Sequence, residues 1–214
     1  MKTLFTFIVI ITLLNFQFIQ NATHNEFAKK LLFQYDEEKF AHDYYNAMYD
    51  QWKILAFKNL AKCEESHMKV VKGLIAEFGD IKAIEELQPG VFTNPELTRT
   101  FKEKMQTARE SENDALIAAA NFEEKNISNL EDLIKMPEGQ ANQECMENLL
   151  DSSIDHLNLL VCHLRHRAVE YRPVQLSVAK YIKCVGNQYA DLTKASEKCL
   201  LEEAEDECPF RQEQ

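Results

Sequence analysis

The sequence predicts an all-α protein built on four main helices in one domain. Three observations carry that prediction. Gly and Pro number only five each in 214 residues, too few for the turns of a sandwich or barrel. Leu, Ala, Glu and Lys dominate, and 28% of the residues are charged. Apolar residues recur at three- and four-residue steps over four long stretches, the period of a helix with one buried face. The chain is also long enough to bury a sizeable core.

The first stretch, "MKTLFTFIVIITLLNFQFIQNATHN", has one early Lys and an apolar run from Leu4 to about Leu14. The run is short for a membrane span and matches a secretory h-region, with cleavage expected near Gln20–Ala22. Residues 1–22 are therefore expected to be a signal peptide, and the product secreted or held in the secretory lumen. No membrane association is expected after cleavage. Helix one is predicted over Glu26–Lys53, with Leu31, Tyr35, Glu38, Ala41, Tyr45, Met48 and Trp52 on one face. Helix two follows over Ile54–Glu77, with Leu60, Glu64, His67, Val71 and Leu74 aligned and Gly79-Asp80 stopping it. "LQPGVFTNPEL" is the main loop. Its Thr93-Asn94-Pro95-Glu96 reads as an N-cap with Pro at the first helical position, opening a helix over Pro95–Ala108.

Helix three begins near Ser111, with Asp and Glu enriched in its first turn. It carries Leu116, Ala120, Glu123 and Ile127 on one stripe, and a short helix is expected over Leu130–Lys135. Helix four is predicted over Gln140–Ala168, with Leu149, Ser153, His156, Leu160 and His163 along one side. "YRPVQLS" breaks it, and a last helix is expected over Ser177–Glu203. The domain layout is thus a bundle over 26–177 and a Cys-containing helical extension over 178–214. A four-helix bundle is the natural packing of such elements.

The formal net charge is −11 and the sequence pI about 5.1. An acidic surface repels phosphate backbones, which argues against nucleic-acid and anionic-lipid partners. Six Cys, at 63, 145, 162, 184, 199 and 208, point in a secreted chain to three disulfides, with Cys199–Cys208 the simplest pair. No C-x-x-C occurs, which disfavours a zinc ribbon. Asn21-Ala-Thr and Asn126-Ile-Ser are glycosylation acceptor patterns.

Each main helix interrupts its apolar stripe with a carboxylate or an imidazole: Glu38, then Glu64 with His67 at i and i+3, then Glu123 with Glu124 beside it, then His156. A buried ionised Glu is expensive unless paired or bound to a metal. Carboxylates can bridge and charge-balance divalent ions, and neutral imidazoles complete their shells. His24, His42, His163 and His166 read as structural or surface residues.

"DEEKFAHDYYNAMYDQW", "FKNLAKCEESHMKVVKGLI", "PGVFTNPEL", "DALIAAANFEEKNISNLED", "NLLDSSIDHLNLLV" and "YRPVQLS" together resemble the ferritin-like family known as domain of unknown function 2202, akin to rubrerythrins and ferritins. The resemblance spans roughly Lys30 to Ser177. It implies a ferritin-like four-helix bundle with extra short helices. It also implies a di-metal centre using Glu on helix one, E-x-x-H on helix two, Glu on helix three and E-x-x-H on helix four. Glu38, Glu64, His67, Glu123 and His156 match that pattern, with Glu124 the rival of Glu123. Ser153 stands where the fourth carboxylate is expected, so the site is incomplete. One or two divalent transition-metal ions (Fe, Mn or Zn) are the expected cofactor, with oxygen, peroxide or iron redox chemistry implied in turn. Two other classes stay open: a metal-free, disulfide-braced helical bundle serving as an interaction or structural protein, and a secreted helical ligand of the cytokine type.

Overall fold

A computed structural model describes the backbone from Lys2 to Gly186, apart from Asp80, Glu85 and Glu86, and side chains from Glu26 onward. The expected signal peptide and everything after Gly186, including Cys199 and Cys208, lie outside the described side chains. The chain is all-helical. In order come α1 (Lys2–Trp52), α2 (Leu55–Phe78), a 3-10 turn (Ile81–Ile84), α3 (Pro95–Ala108), α4 (Glu112–Ile134), α5 (Pro137–Ala141), α6 (Gln143–His166) and α7 (Val178–Val185). No helix among the described residues is long and apolar enough to cross a membrane.

Local chemistry sets the boundaries. Lys53 adopts positive φ (57°), so α1 turns into α2 within two residues. Asn94 caps α3 by accepting from the Glu96 amide at 3.0 Å, with Pro95 at the first turn. Ser111 caps α4 by accepting from the Asp114 amide at 3.0 Å. Both starts are as the sequence predicts. Two expectations are corrected. No separate helix spans 130–135, because α4 runs unbroken to Ile134: Leu130 and Leu133 are buried and carry the same stripe forward. Helix four is divided, since the chain breaks at Asn142 between α5 and α6. The last helix is described only to Val185.

The long helices pack as a bundle. α1 lies chiefly against α2 and also against α4, α4 against α6, and α2 against α6. Every stripe residue named above is buried except Trp52, which is half-buried and donates its indole N–H to the Ala108 carbonyl at 3.0 Å. The apolar core falls into two clusters. One gathers Tyr44, Tyr45, Met48, Phe57, Leu116 and Leu160. The other gathers Phe27, Leu31, Val71, Ile75, Leu130 and Leu149. On α1, α2 and α6 the buried residues between the two clusters include Glu38, then Glu64 and His67, then Ser152, Ser153 and His156, and on α4 Glu123 and Asn126 lie at the same level, just before Ile127 of the first cluster. A polar seam therefore crosses the middle of the bundle.

Cys145 and Cys184 are free thiols. Among the described residues these two half-buried side chains, on α6 and α7, pair with no other cysteine, while Cys199 and Cys208 lie outside the described residues. Asn126 is also not a surface acceptor for glycan. It is only 4% exposed, inside the bundle.

Candidate metal centre

The stretch "DEEK" sets four consecutive charges on α1, and each points somewhere different. Asp36 accepts from the Thr93 amide (2.9 Å), the Thr93 hydroxyl (2.6 Å) and the Asn94 amide (2.9 Å), pinning the main loop. Glu37 pairs with Lys125 of α4 at 2.6 Å. Lys39 pairs with Asp43, which also accepts from the Gly90 amide at 2.8 Å. Gly90 has φ +74°, and a Cβ there would meet the Phe101 ring at 3.1 Å, so the loop's close approach requires glycine. With its neighbours committed to scaffolding, Glu38 alone turns into the seam, fully buried.

There it meets the other four predicted residues. His67 Nδ1 lies 2.8 Å from Glu64 and 3.3 Å from Glu38. His156 Nδ1 lies 2.8 Å from the other oxygen of Glu64 and 3.4 Å from Glu123. Two groupings result, Glu38–Glu64–His67 and Glu64–Glu123–His156, and within each the ligand atoms all fall within 4.8 Å of one another. Glu64 belongs to both. The two imidazoles stack with centroids 5.3 Å apart and planes 21° apart. Their outer nitrogens share one partner: Ser152 Oγ lies 2.9 Å from His67 Nε2 and 3.4 Å from His156 Nε2. One hydroxyl can accept from both N–H groups, which leaves both Nδ1 lone pairs facing the carboxylates. Cys63 Sγ sits on this outer side, 3.6 Å from His67 Nε2. It is not a free thiol, so the oxygen and Nδ1 set is the one suited to a cation.

The electrostatics follow from burial. Burial and the nearby Glu64 push Glu38 up to about 7, against the pull of His67. Burial also acts to raise Glu64, but the two imidazoles outweigh it and hold that carboxyl well below its usual range. Burial opposes charge on His67, yet Glu64 and Glu38 carry it up to about 9, and His156 is raised in the same way by Glu64 and Glu123. Burial pushes Glu123 up, with His156 opposing. Tyr45 donates its hydroxyl to Glu123 Oε1, and burial beside Glu123 and Glu64 holds the phenol well above its usual range.

One atom stands out as a test of whether a cation fits. Glu123 Oε2 is buried and has no hydrogen-bond partner. Glu64 Oε1 and His156 Nδ1 face each other as an ion pair 2.8 Å apart. An orphaned buried oxygen is costly. A divalent ion held by Glu64, Glu123 and His156 would satisfy it, so the residues present fit one.

The choice between Glu123 and Glu124 follows from the helix. Both are buried, about 100° apart around α4. Glu123 faces the seam. Glu124 faces the "YRPVQLS" segment, where it accepts from the Tyr171 hydroxyl (2.9 Å) and the amides of Val174, Gln175 and Leu176 (3.0, 2.6 and 2.9 Å). It is a loop anchor. His163 is buried on α6 beside Arg167, away from the five.

The model of an uncharacterized protein domain, DUF2202, matches residues 27–188. The chain belongs to the DUF2202 family. An uncharacterized protein of Methanocaldococcus jannaschii, MJ0754, is 31% identical over 152 residues, covering 71% of this chain and 82% of that one. A crystal structure titled as that hypothetical protein is similar with a TM-score of 0.70 and 30% identity, over 74% of this chain and 90% of that chain. The DUF2202 region thus contains all five predicted residues and both loop anchors, Asp36 and Glu124.

Sequence reasoning missed Gln34, Asn126 and Ser152, which hold the five in place. Gln34 Nε2 donates to Glu38 Oε1 at 2.6 Å and also to Asn126 Oδ1. Asn126 Nδ2 lies 3.2 Å from each Glu38 oxygen and 3.1 Å from Ser153 Oγ. A signal was available: Gln34 is four residues before Glu38, Asn126 three after Glu123, and Ser152 four before His156. Each shares a helical face with a predicted ligand.

Proposed function

We propose that this chain is a ferritin-like metal-binding protein whose centre, Glu38, Glu64, His67, Glu123 and His156, holds a divalent transition metal of the Fe, Mn or Zn class. The observation that carries this reading is the pair of groupings sharing Glu64, with two residues from α2 and one each from α1, α4 and α6 meeting in a buried seam. The arrangement of four long helices with inward carboxylates and an E-x-x-H pair supports a ferritin-like bundle. Oxygen and imidazole donors of this kind suit borderline and hard dications, and affinity order alone does not choose among them.

The chain's own residues prepare the site. Ser152 holds both imidazoles in the orientation that turns Nδ1 inward. Tyr45 fixes one oxygen of Glu123 and leaves the other open. A redox-active dication bound here would supply electron exchange with oxygen or peroxide. The dry interior strengthens every charge contact around it. Metal analysis of protein purified without chelator tests the reading. A transition metal near stoichiometric amount is expected, and loss of it in Glu64→Gln. Protein that is folded, free of metal and unable to take up Mn(II), Fe(II) or Zn(II) overturns it.

One observation favours a second reading, a metal-free bundle used for interaction or structure. Glu64 lies between two imidazoles at 2.8 Å on each side, a charge pairing that can stand without an ion. Under that reading added metal leaves the melting temperature unchanged.

A further inference from the structure

We propose that the centre is built for a single divalent ion on the Glu64–Glu123–His156 side, and that Asn126, with Gln34 and Ser153, closes the Glu38 side to a second. The inference rests on the metal-binding reading above and goes further, to the number of ions and the residues that set it.

The two sides of the seam are unlike. On one, Glu123 Oε2 is buried with no hydrogen-bond partner, and Glu123 groups with Glu64 and His156, ligand atoms of the three falling within 4.8 Å of one another. On the other, both Glu38 oxygens are already taken. Gln34 Nε2 donates to Oε1, and Asn126 Nδ2 reaches both oxygens. These donors are themselves locked, because Asn126 Oδ1 accepts from Gln34 and Asn126 Nδ2 also reaches Ser153 Oγ. Gln34, Asn126 and Ser153 are all buried. An N–H directed at a carboxylate oxygen repels a cation from that lone pair, and breaking this amide network would leave buried donors unpaired.

α2 and α6 differ at the matching position. On α2 a carboxylate, Glu64, stands three residues before the inward imidazole of His67. On α6 the same position relative to His156 is Ser153, whose hydroxyl bonds Asn126 and the Leu149 carbonyl rather than facing the seam as an anion. Three carboxylates remain. One dication matched by Glu64 and Glu123 is neutral. A second, sharing Glu64 and facing only Glu38, leaves positive charge in a dry interior, which is costly.

The test uses the full chain stripped with chelator and titrated with MnCl2, followed by calorimetry, equilibrium dialysis and electron paramagnetic resonance. Wild type is expected to bind one equivalent and show the hyperfine pattern of an isolated Mn(II). Asn126→Asp and, separately, Ser153→Glu each supply a fourth carboxylate and are expected to bind two, with the spectrum of an exchange-coupled pair. Circular dichroism melts verify that each variant is folded, and the wild-type stoichiometry decides the main claim even if both variants unfold. Two equivalents of comparable affinity in wild type overturn this inference and leave metal binding standing. Folded variants that stay at one equivalent overturn the role given to Asn126 and Ser153. No binding in wild type sinks the metal-binding reading itself, and this one with it.

Discussion

Glu64→Gln separates a metal centre from a self-sufficient ion-pair network, because Glu64 is the one residue common to both groupings. The substitution keeps the size of the side chain and removes its charge. In chelator, the variant loses the carboxylate that sits 2.8 Å from each imidazole. Hydrogen bonds to charged groups contribute about 1.5–3 kcal/mol each, and breaking a buried pair costs about 3–5 kcal/mol. The imidazoles can respond by losing protons, so a net loss of about 2–4 kcal/mol is expected. For a domain of this size that lowers the melting temperature by roughly 5–15 °C. The metal arm decides the matter. Saturating a native site at a hundredfold excess over its dissociation constant adds about 2.7 kcal/mol of stability. Wild type should therefore melt roughly 5–10 °C higher with MnCl2 than with chelator, and Glu64→Gln should show almost none of that rise. Differential scanning calorimetry of both proteins in both buffers measures all four values. An equal metal-induced rise in the two proteins refutes the assignment of Glu64 as a shared ligand.

The adjacent carboxylates on α4 should part company. Glu123→Gln abolishes metal uptake, whereas Glu124→Ala leaves it intact, costs about 2–4 kcal/mol from four lost hydrogen bonds, and speeds amide exchange at Val174–Leu176. Retained protection at those amides would contradict the anchor role. A Cβ at Gly139 would lie 1.9 Å from the Leu133 carbonyl oxygen, so Gly139→Ala should destabilise by about 1–3 kcal/mol or more. Gly73→Ala, exposed in α2 with open space around it, should stabilise by about 0.5–1 kcal/mol. Urea denaturation compares the pair. His163 is held down to about 4 by burial and by Arg167 and His166. Its folded value lies below its unfolded one, so the stability it contributes is present above about 6.5 and is lost as pH falls toward 4. Between pH 7 and 5 that is about 2 kcal/mol, and His163→Gln should flatten that part of the stability profile.

The stripes were legible because burial and helical period coincide. Leu60, Glu64, His67, Val71 and Leu74 read as one face in sequence and are one buried face in space. The same logic could not choose between Glu123 and Glu124, since both faces of α4 are covered, one by the bundle and one by the segment at 171–176. Nor could it place Asn126. A glycosylation pattern is a three-residue string, indifferent to whether its Asn points to water or to a carboxylate. A separate short helix is expected over Leu130–Lys135, but the buried Leu130 and Leu133 carry α4 on to Ile134. The parity of a cysteine count says nothing about distance, so it could not single out Cys145 and Cys184 as the two free thiols among the described residues.

The Asn126 network also bears on which of the two readings is sounder. If the seam were only a relic held together by its own charges, selection would act on stability, and buried ions are poor at providing it: well-packed apolar side chains often do as well or better. Such a seam should drift toward Leu and Met and merge the two apolar clusters that flank it. Instead the seam carries outer support that apolar packing would not need. Ser152 serves both imidazoles, Tyr45 serves Glu123, and Gln34 with Asn126 serves Glu38. That support leaves two buried oxygens unanswered, Gln34 Oε1 in the Glu38 network and Glu123 Oε2 in the ligand cluster. The second belongs to a residue grouped with Glu64 and His156, so it is the one that a bound cation would answer.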